Sequence, residues 1–172
     1  MEEGYIFFVG FMGAGKTSVA KKVAAKMGLP FQDSDQELEK RHAMTVNQIF
    51  DEKGESFFRG QETLFLESLD RNSSGIVSVG GGLPCINNNM DQMKSMGIVV
   101  YLKHPVGQLV NRLIHAKKTR PLIREKSEQE LKEYIAEMMR VRSPFYEQAH
   151  LIVSGNEIHP GKIVELIRTY TR

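Results

Sequence analysis

"VGFMGAGKT", residues 9–17, begins at the end of an apolar run and continues as a glycine-rich turn that closes on a lysine and a hydroxyl residue. The stretch fits G-x-x-x-x-G-K-[ST] at Gly10, Gly15, Lys16 and Thr17. A hydrophobic strand precedes it and a helical pattern follows, the context that a phosphate-binding loop requires. Glycines let the backbone of Gly13, Ala14 and Gly15 curl toward phosphate oxygens, with Lys16, Thr17 and Ser18 at the helix N-terminus behind them. Lys16 then reaches the β and γ phosphates, and the Thr17 hydroxyl is a ligand for Mg²⁺. A bare glycine turn explains the glycines but leaves the lysine and hydroxyl unexplained, so the stretch predicts a nucleoside triphosphate site.

Outward from this loop, apolar runs recur at 5–9 (YIFFV), 30–33 (PFQD, the weakest), 75–79 (GIVSV), 98–102 (IVVYL) and 150–154 (HLIVS). They lack the alternation of a half-exposed strand and are separated by helical stretches, which predicts an α/β fold with a parallel sheet buried on both faces. Helices are expected at 17–27, closed by Gly28, and at 37–42, opened by a Ser-x-x-Glu capping box at Ser34 and Glu37. Thr45 and Gln48 form a second such box for a helix that ends at Gly54. Further helices are read near 55–70, 88–96, 106–115, 128–141 and 161–169. Residues 115–126, dense in cations and broken by Pro121, read as a mobile loop.

The 172 residues suit one domain, and 26% charged with 41% hydrophobic residues is the composition of an ordinary globular chain. A formal net charge of +2 argues against a nucleic-acid or anionic-membrane surface. The single cysteine, Cys85, rules out an intramolecular disulfide and suits a reducing cytoplasm, where it reads as a small buried hydrophobe. "MEEG" is acidic where a secretory leader is basic, and the apolar run after it is too short to span a membrane, so neither export nor anchoring is expected.

A GTPase reading needs an NKxD, which is absent; "DEKG" at 51–54 matches DxxG but closes an amphipathic helix. After "GIVSV", where many triphosphatases place a magnesium aspartate, the chain runs Gly80, Gly81, Gly82. Carboxylates are supplied instead by "QDSD", 32–35, at the carboxyl end of the second strand, where ligands bind in such sheets. Ser34 as a helix cap and Asp35 beside the helix dipole account for two of its residues structurally; Asp33 is left over. Asp33 is thus expected to hold magnesium through water and Asp35 to accept the proton of an attacking hydroxyl.

Four weaker signals remain. Arg59 and Glu62 lie three apart on one helical face, which by itself predicts an exposed ion pair. The three glycines allow close backbone approach or a tight turn. Arg142 stands before Pro144, where the helix is expected to end, so that its side chain projects toward a cleft. In the 115–126 loop, a cationic lid over the γ phosphate competes with a solvated connector, and Arg120 is the candidate within it.

Taken together and in order, "GFMGAGKT", "DSD", "IFDEKGESFFRGQE", "GGG", "TRPLI" and "RSPFYEQA" resemble the shikimate kinase family over the whole chain. The resemblance implies a three-layer P-loop kinase fold of the nucleoside monophosphate kinase type. Its five-stranded parallel sheet has the order 2-3-1-4-5, with helices on both faces. It implies a single kinase domain over 1–172, a substrate region at about 33–62 and a lid at about 114–127. It implies ATP as co-substrate, Mg²⁺, and transfer to the 3-hydroxyl of shikimate in the chorismate pathway, by a cytoplasmic monomer. Arg59 and Arg142 would clamp the shikimate carboxylate, as suits guanidinium. Gly80, Gly81 and Gly82 would contact substrate, Glu62 would orient Arg59, and Phe50 and Phe58 would line the apolar wall. Lys16 and Arg120 would act on the transferred group, Asp35 would serve the substrate hydroxyls as general base, and Arg112 would stack beside the adenine. Where many relatives carry a basic residue near the adenine, this chain has "SGNEIHPG", 154–161. Gluconate and nucleotide kinases share the loop and lid but need no paired arginines; a non-catalytic nucleotide-binding module would not need the retained aspartates.

Overall fold

The computed structural model describes residues 4–115 and 126–171. Five strands, β1 (Tyr5–Val9), β2 (Phe31–Asp33), β3 (Gly75–Ser78), β4 (Gly97–Lys103) and β5 (Leu151–Ser154), form one sheet in the order β2-β3-β1-β4-β5. Every pairing is parallel. The order puts β1 at the centre, and all five of its side chains are buried, which is why "YIFFV" shows no alternation.

Successive residues of β1 feed two separate cores. Ile6 and Phe8 join Val100, Leu102, Val153 and Ile163 on one face, while Tyr5, Phe7 and Val9 join Val77, Val99, Tyr101 and Tyr146 on the other. The helices that cover these faces are α1 (Lys16–Met27), α2 (Ser34–His42), α3 (Val46–Lys53), α4 (Glu55–Glu67), α5 (Asn89–Met96), α6 (Val106–Ile114), α7 (Glu128–Tyr146) and α8 (Pro160–Tyr170). Gly28 ends α1 in the left-handed conformation, and Thr45 with Gln48 makes the capping box of α3, as the sequence suggests. "DEKG" lies where α3 ends at Gly54.

Two local expectations are overturned. The cap of α2 is Asp33, not Ser34: the Asp33 carboxylate accepts from the N–H groups of Asp35 and Gln36 at 3.1 and 3.3 Å. Ser34 is instead the first residue of the helix, fully buried, and its hydroxyl accepts from Gly80 N at 2.9 Å, tying α2 to the turn after β3. The second concerns α7, which does not stop before Pro144 but runs through it to Tyr146. A proline there removes one backbone bond and crowds the preceding turn. The compensation lies in Tyr146, whose ring is fully buried 5.2 Å from that of Tyr101 and whose hydroxyl donates to Gly81 O. The extra turn keeps Arg142 and Tyr146 on one helical face, toward the three glycines.

Register fixes what meets at the carboxyl edge. Ser78 pairs with Phe8 of β1 on one side and Asp33 of β2 on the other. The phosphate loop after β1, the aspartates after β2 and the glycines after β3 therefore emerge side by side.

Candidate active site

The phosphate loop is pinned at Ala14. Ala14 N donates to Phe11 O at 3.2 Å, and the buried His104 donates from Nε2 to Ala14 O at 3.0 Å. Gly15 caps α1 with φ 84°, a conformation that costs glycine little and other residues more. Lys16 Nζ lies across the loop, donating to Gly10 O at 2.8 Å and Phe11 O at 3.0 Å, and Ser18 is exposed on the first turn of α1. Arg112, at the end of α6, donates to Gly13 O at 3.4 Å, so its guanidinium borders the loop.

Beside the loop stands an oxygen-rich corner. The Thr17 hydroxyl donates to Asp33 Oδ2 at 2.7 Å and lies 3.3 Å from Ser78 Oγ. One Asp33 oxygen thus caps α2 while the other faces Thr17. Ser78 was missed in the sequence; the signal was there, a hydroxyl in an otherwise apolar buried run at the end of β3.

Asp35, Arg59, Glu62 and Arg142 converge on the three glycines. A methyl group on Gly80 would stand 2.5 Å from Glu62 Oε1 and 2.8 Å from Asp35 Oδ1, and one on Gly82 would stand 2.6 Å from Arg59 Cζ. At Gly81 it would lie 3.3 Å from Gly10 O of the phosphate loop and 3.7 Å from Arg142 Nη1. Gly80 and Gly82 are therefore glycine because side chains of the site occupy the space that a Cβ would need. Phe50 and Phe58 stack with ring centroids 4.6 Å apart, each 5.7 Å from Arg59 Cζ, while Arg142 lies over Phe11 at 5.6 Å.

The pair Arg59 and Glu62 differs from the exposed ion pair that its spacing alone predicts. Arg59 Nη1 donates to Glu62 Oε2 at 2.7 Å, and Glu62 is fully buried. Its other oxygen, Oε1, has no hydrogen-bond partner among the described residues. Burial pushes the Glu62 carboxyl up to about 7; Arg59 and Arg142 pull against this, and Asp35 adds to it. Burial opposes the Arg59 charge in turn, but Glu62 and Glu55 more than restore it and hold the guanidinium above its ordinary value. Glu55, unnoticed in the sequence, accepts from Arg59 Nη2 at 3.0 Å and Nε at 3.2 Å; an i,i+4 pair opening a helix was its only sign. Cys85 is half-buried, and burial pushes its thiol up to about 11, in keeping with a packing role.

Arg120 and most of the lid at about 114–127 lie outside the described residues. A cavity of about 380 Å³ opens at the opposite edge of the sheet, between Tyr5, Arg41, Asp70 and Gly75, and is lined by none of Asp35, Arg59, Glu62 and Arg142. What identifies the site is the convergence of charged groups at the carboxyl edge, as expected for an open parallel sheet.

A phosphate loop at the end of β1, a hydroxyl and carboxylate corner beside it, and two arginines with two carboxylates a few ångströms further on define a P-loop kinase acting on a small anionic acceptor. Comparison with known proteins narrows the class. A family model described as shikimate kinase matches residues 12–171. A shikimate kinase from Parabacteroides distasonis is 43% identical over 153 residues, covering 89% of this chain and 88% of the relative. The crystal structure of shikimate kinase from Bacteroides thetaiotaomicron superposes with TM-score 0.89 at 34% identity, covering 98% of both chains. That of Acinetobacter baumannii shikimate kinase in complex with shikimate gives 0.82 at 32% identity, covering 98% of this chain and 90% of the other. The chain belongs to the shikimate kinase family, and it is a kinase.

Proposed function

We propose that the protein transfers the γ-phosphoryl group of ATP to the 3-hydroxyl of shikimate, giving shikimate 3-phosphate and ADP. The observation that carries this reading is the convergence of Arg59, Arg142, Asp35 and Glu62 on Gly80, Gly81 and Gly82, directly beside the phosphate loop. Two guanidinium groups suit one carboxylate, and a carboxylate next to them suits a sugar-like hydroxyl.

Each residue then has a task. Gly13, Ala14, Gly15 and Ser18 present backbone N–H groups to phosphate, Lys16 neutralises the transferred group, and Arg112 borders the nucleotide. Arg59 and Arg142 fix the acceptor's carboxylate, with Phe50 and Phe58 against its ring. Asp35 takes the proton of the attacking hydroxyl, and Arg120 reaches the phosphates from the lid. Phosphoryl transfer depends on positioning and charge neutralisation, which this arrangement of fixed charges supplies.

Mg²⁺ fits the oxygen corner. Among the described residues no group of three or more histidine, cysteine or carboxylate side chains could hold a metal, so an all-protein cage is not at hand. Thr17 and Asp33, hard oxygen donors 2.7 Å apart, would hold the ion together with phosphate oxygens and water, since Mg²⁺ completes its six oxygen ligands with few from the protein. When bound, the ion would neutralise charge on the phosphates. The protein is proposed to work as a cytoplasmic monomer, with a substrate region at about 33–62 and a lid at about 114–127. No helix among the described residues is long and apolar enough to cross a membrane.

The test is ADP release with ATP and magnesium, comparing shikimate, gluconate and AMP. Shikimate should support turnover at least tenfold above the other two; turnover on gluconate or AMP with none on shikimate would overturn the proposal.

A further inference from the structure

The guanidinium of Arg59 is enclosed on three sides. Gly82 lies beneath Cζ, the rings of Phe50 and Phe58 stand against it, and the buried Glu62 takes Nη1 at 2.7 Å. Its side chain is only 19% exposed, and what remains open to a ligand is the edge formed by Nε and Nη2. This is an edge along which guanidinium grips a carboxylate through two parallel hydrogen bonds. In the structure it is covered: a single oxygen, Glu55 Oε1, accepts from both Nη2 and Nε.

We infer that Glu55 occupies the place of the acceptor's carboxylate and is displaced by it, so that acceptor binding at Arg59 is an exchange of one anion for another. The inference rests on the function proposed above. Three features favour exchange. One oxygen bridging two donors is a poorer match than the two oxygens that an incoming carboxylate offers, one to each nitrogen. The Glu55 side chain is 66% exposed, and exposed helical ion pairs are easily broken. Once released, Glu55 stays on the first turn of α4, where the helix dipole favours a negative charge.

Exchange also gives selectivity. Arg59 passes from one carboxylate to another and its half-buried charge is never left with Glu62 alone. A neutral acceptor of the same shape would have to break the Glu55 contact with nothing to replace it. Glu55 is thus a positioning residue that acts through Arg59, holding the edge ready and favouring acceptors that carry a carboxylate.

Steady-state kinetics of Glu55→Ala and Glu55→Asp beside the wild type decide the matter. Aspartate keeps the charge at the helix start but, one methylene shorter, no longer reaches Arg59. Both variants should lower KM for shikimate about two- to fivefold, the range that breaking an exposed ion pair allows. KM for ATP should stay within experimental error of the wild-type value. A shikimate KM that is unchanged or raised in both variants overturns the inference and leaves the proposed function standing. A fall confined to Glu55→Ala also overturns it, since the general negative charge and not the contact would then be responsible. Absence of shikimate turnover in the wild type would overturn the proposed function and this inference with it.

Discussion

Replacing Glu62 by glutamine should change the pH dependence of stability in a direction the structure fixes. Glu62 is fully buried, holds Arg59 through Oε2, and has no partner on Oε1 among the described residues. Burial raises its carboxyl from 4.5 to about 7, net of the pull from Arg59. Below pH 4.5 the group is protonated in the folded and unfolded chain alike and makes no difference between them. As pH rises from there to 7 the unfolded chain gives up this proton while the folded one keeps it, so stability falls; above 7 the loss is complete. At about 1.4 kcal/mol per pH unit the full loss is about 3 kcal/mol. Glutamine cannot titrate and escapes it. Urea unfolding of wild type and Glu62→Gln at about pH 5, 6, 7 and 8 should therefore show the wild type losing about 2 to 3 kcal/mol relative to the variant across the series. A difference that stays constant with pH would refute the reasoning, because Arg59 and Arg142 would then fully offset the burial.

Three other substitutions probe single contacts. Asp35→Asn should cut turnover about 100- to 10,000-fold while ATP binding, read by titration calorimetry, is retained; near-normal rates would remove Asp35 as the base. Gly82→Ala should raise KM for shikimate but not for ATP, because the new methyl would stand 2.6 Å from Arg59 Cζ while φ of −90° suits any residue; equal effects on both substrates would contradict this. Tyr146→Phe removes the hydroxyl that donates to Gly81 O and should cost about 1 to 3 kcal/mol in urea unfolding, with no loss expected if that bond is dispensable.

Much of the fold was legible because its signals are local or periodic. The central strand announces itself as five consecutive apolar residues, and the phosphate loop carries its geometry in glycine positions and a lysine. The capping box at Thr45 and Gln48 is likewise a short-range pattern. What was not legible depends on pairing across the sheet or on tertiary compensation. Ser34, with Glu37 three residues on, reads as the cap of α2. Gly80 N, 46 residues away, donates to the Ser34 hydroxyl and leaves capping to Asp33. Pro144 predicts a helix end on local grounds, yet burial of Tyr146 carries α7 one turn further. Arg59 and Glu62 read as a solvated pair because nothing local reveals that Gly80 and Gly82 bury them. Glu55 and Ser78 left only faint local signs, and Tyr146 left none, because its hydroxyl finds Gly81 O only when α7 packs against the turn after β3.

The central claim is that two arginines beside the three glycines hold the acceptor's carboxylate. Its most direct measurement is KM for shikimate and for ATP in Arg59→Ala and Arg142→Ala. A hydrogen bond to a charged group contributes about 1.5 to 3 kcal/mol, so each variant should raise the shikimate KM by about tenfold or more. KM for ATP should change less than about twofold in Arg59→Ala and by less than the shikimate KM in Arg142→Ala, whose guanidinium lies over Phe11 of the phosphate loop. An unchanged shikimate KM, or equal rises for both substrates, would contradict the account.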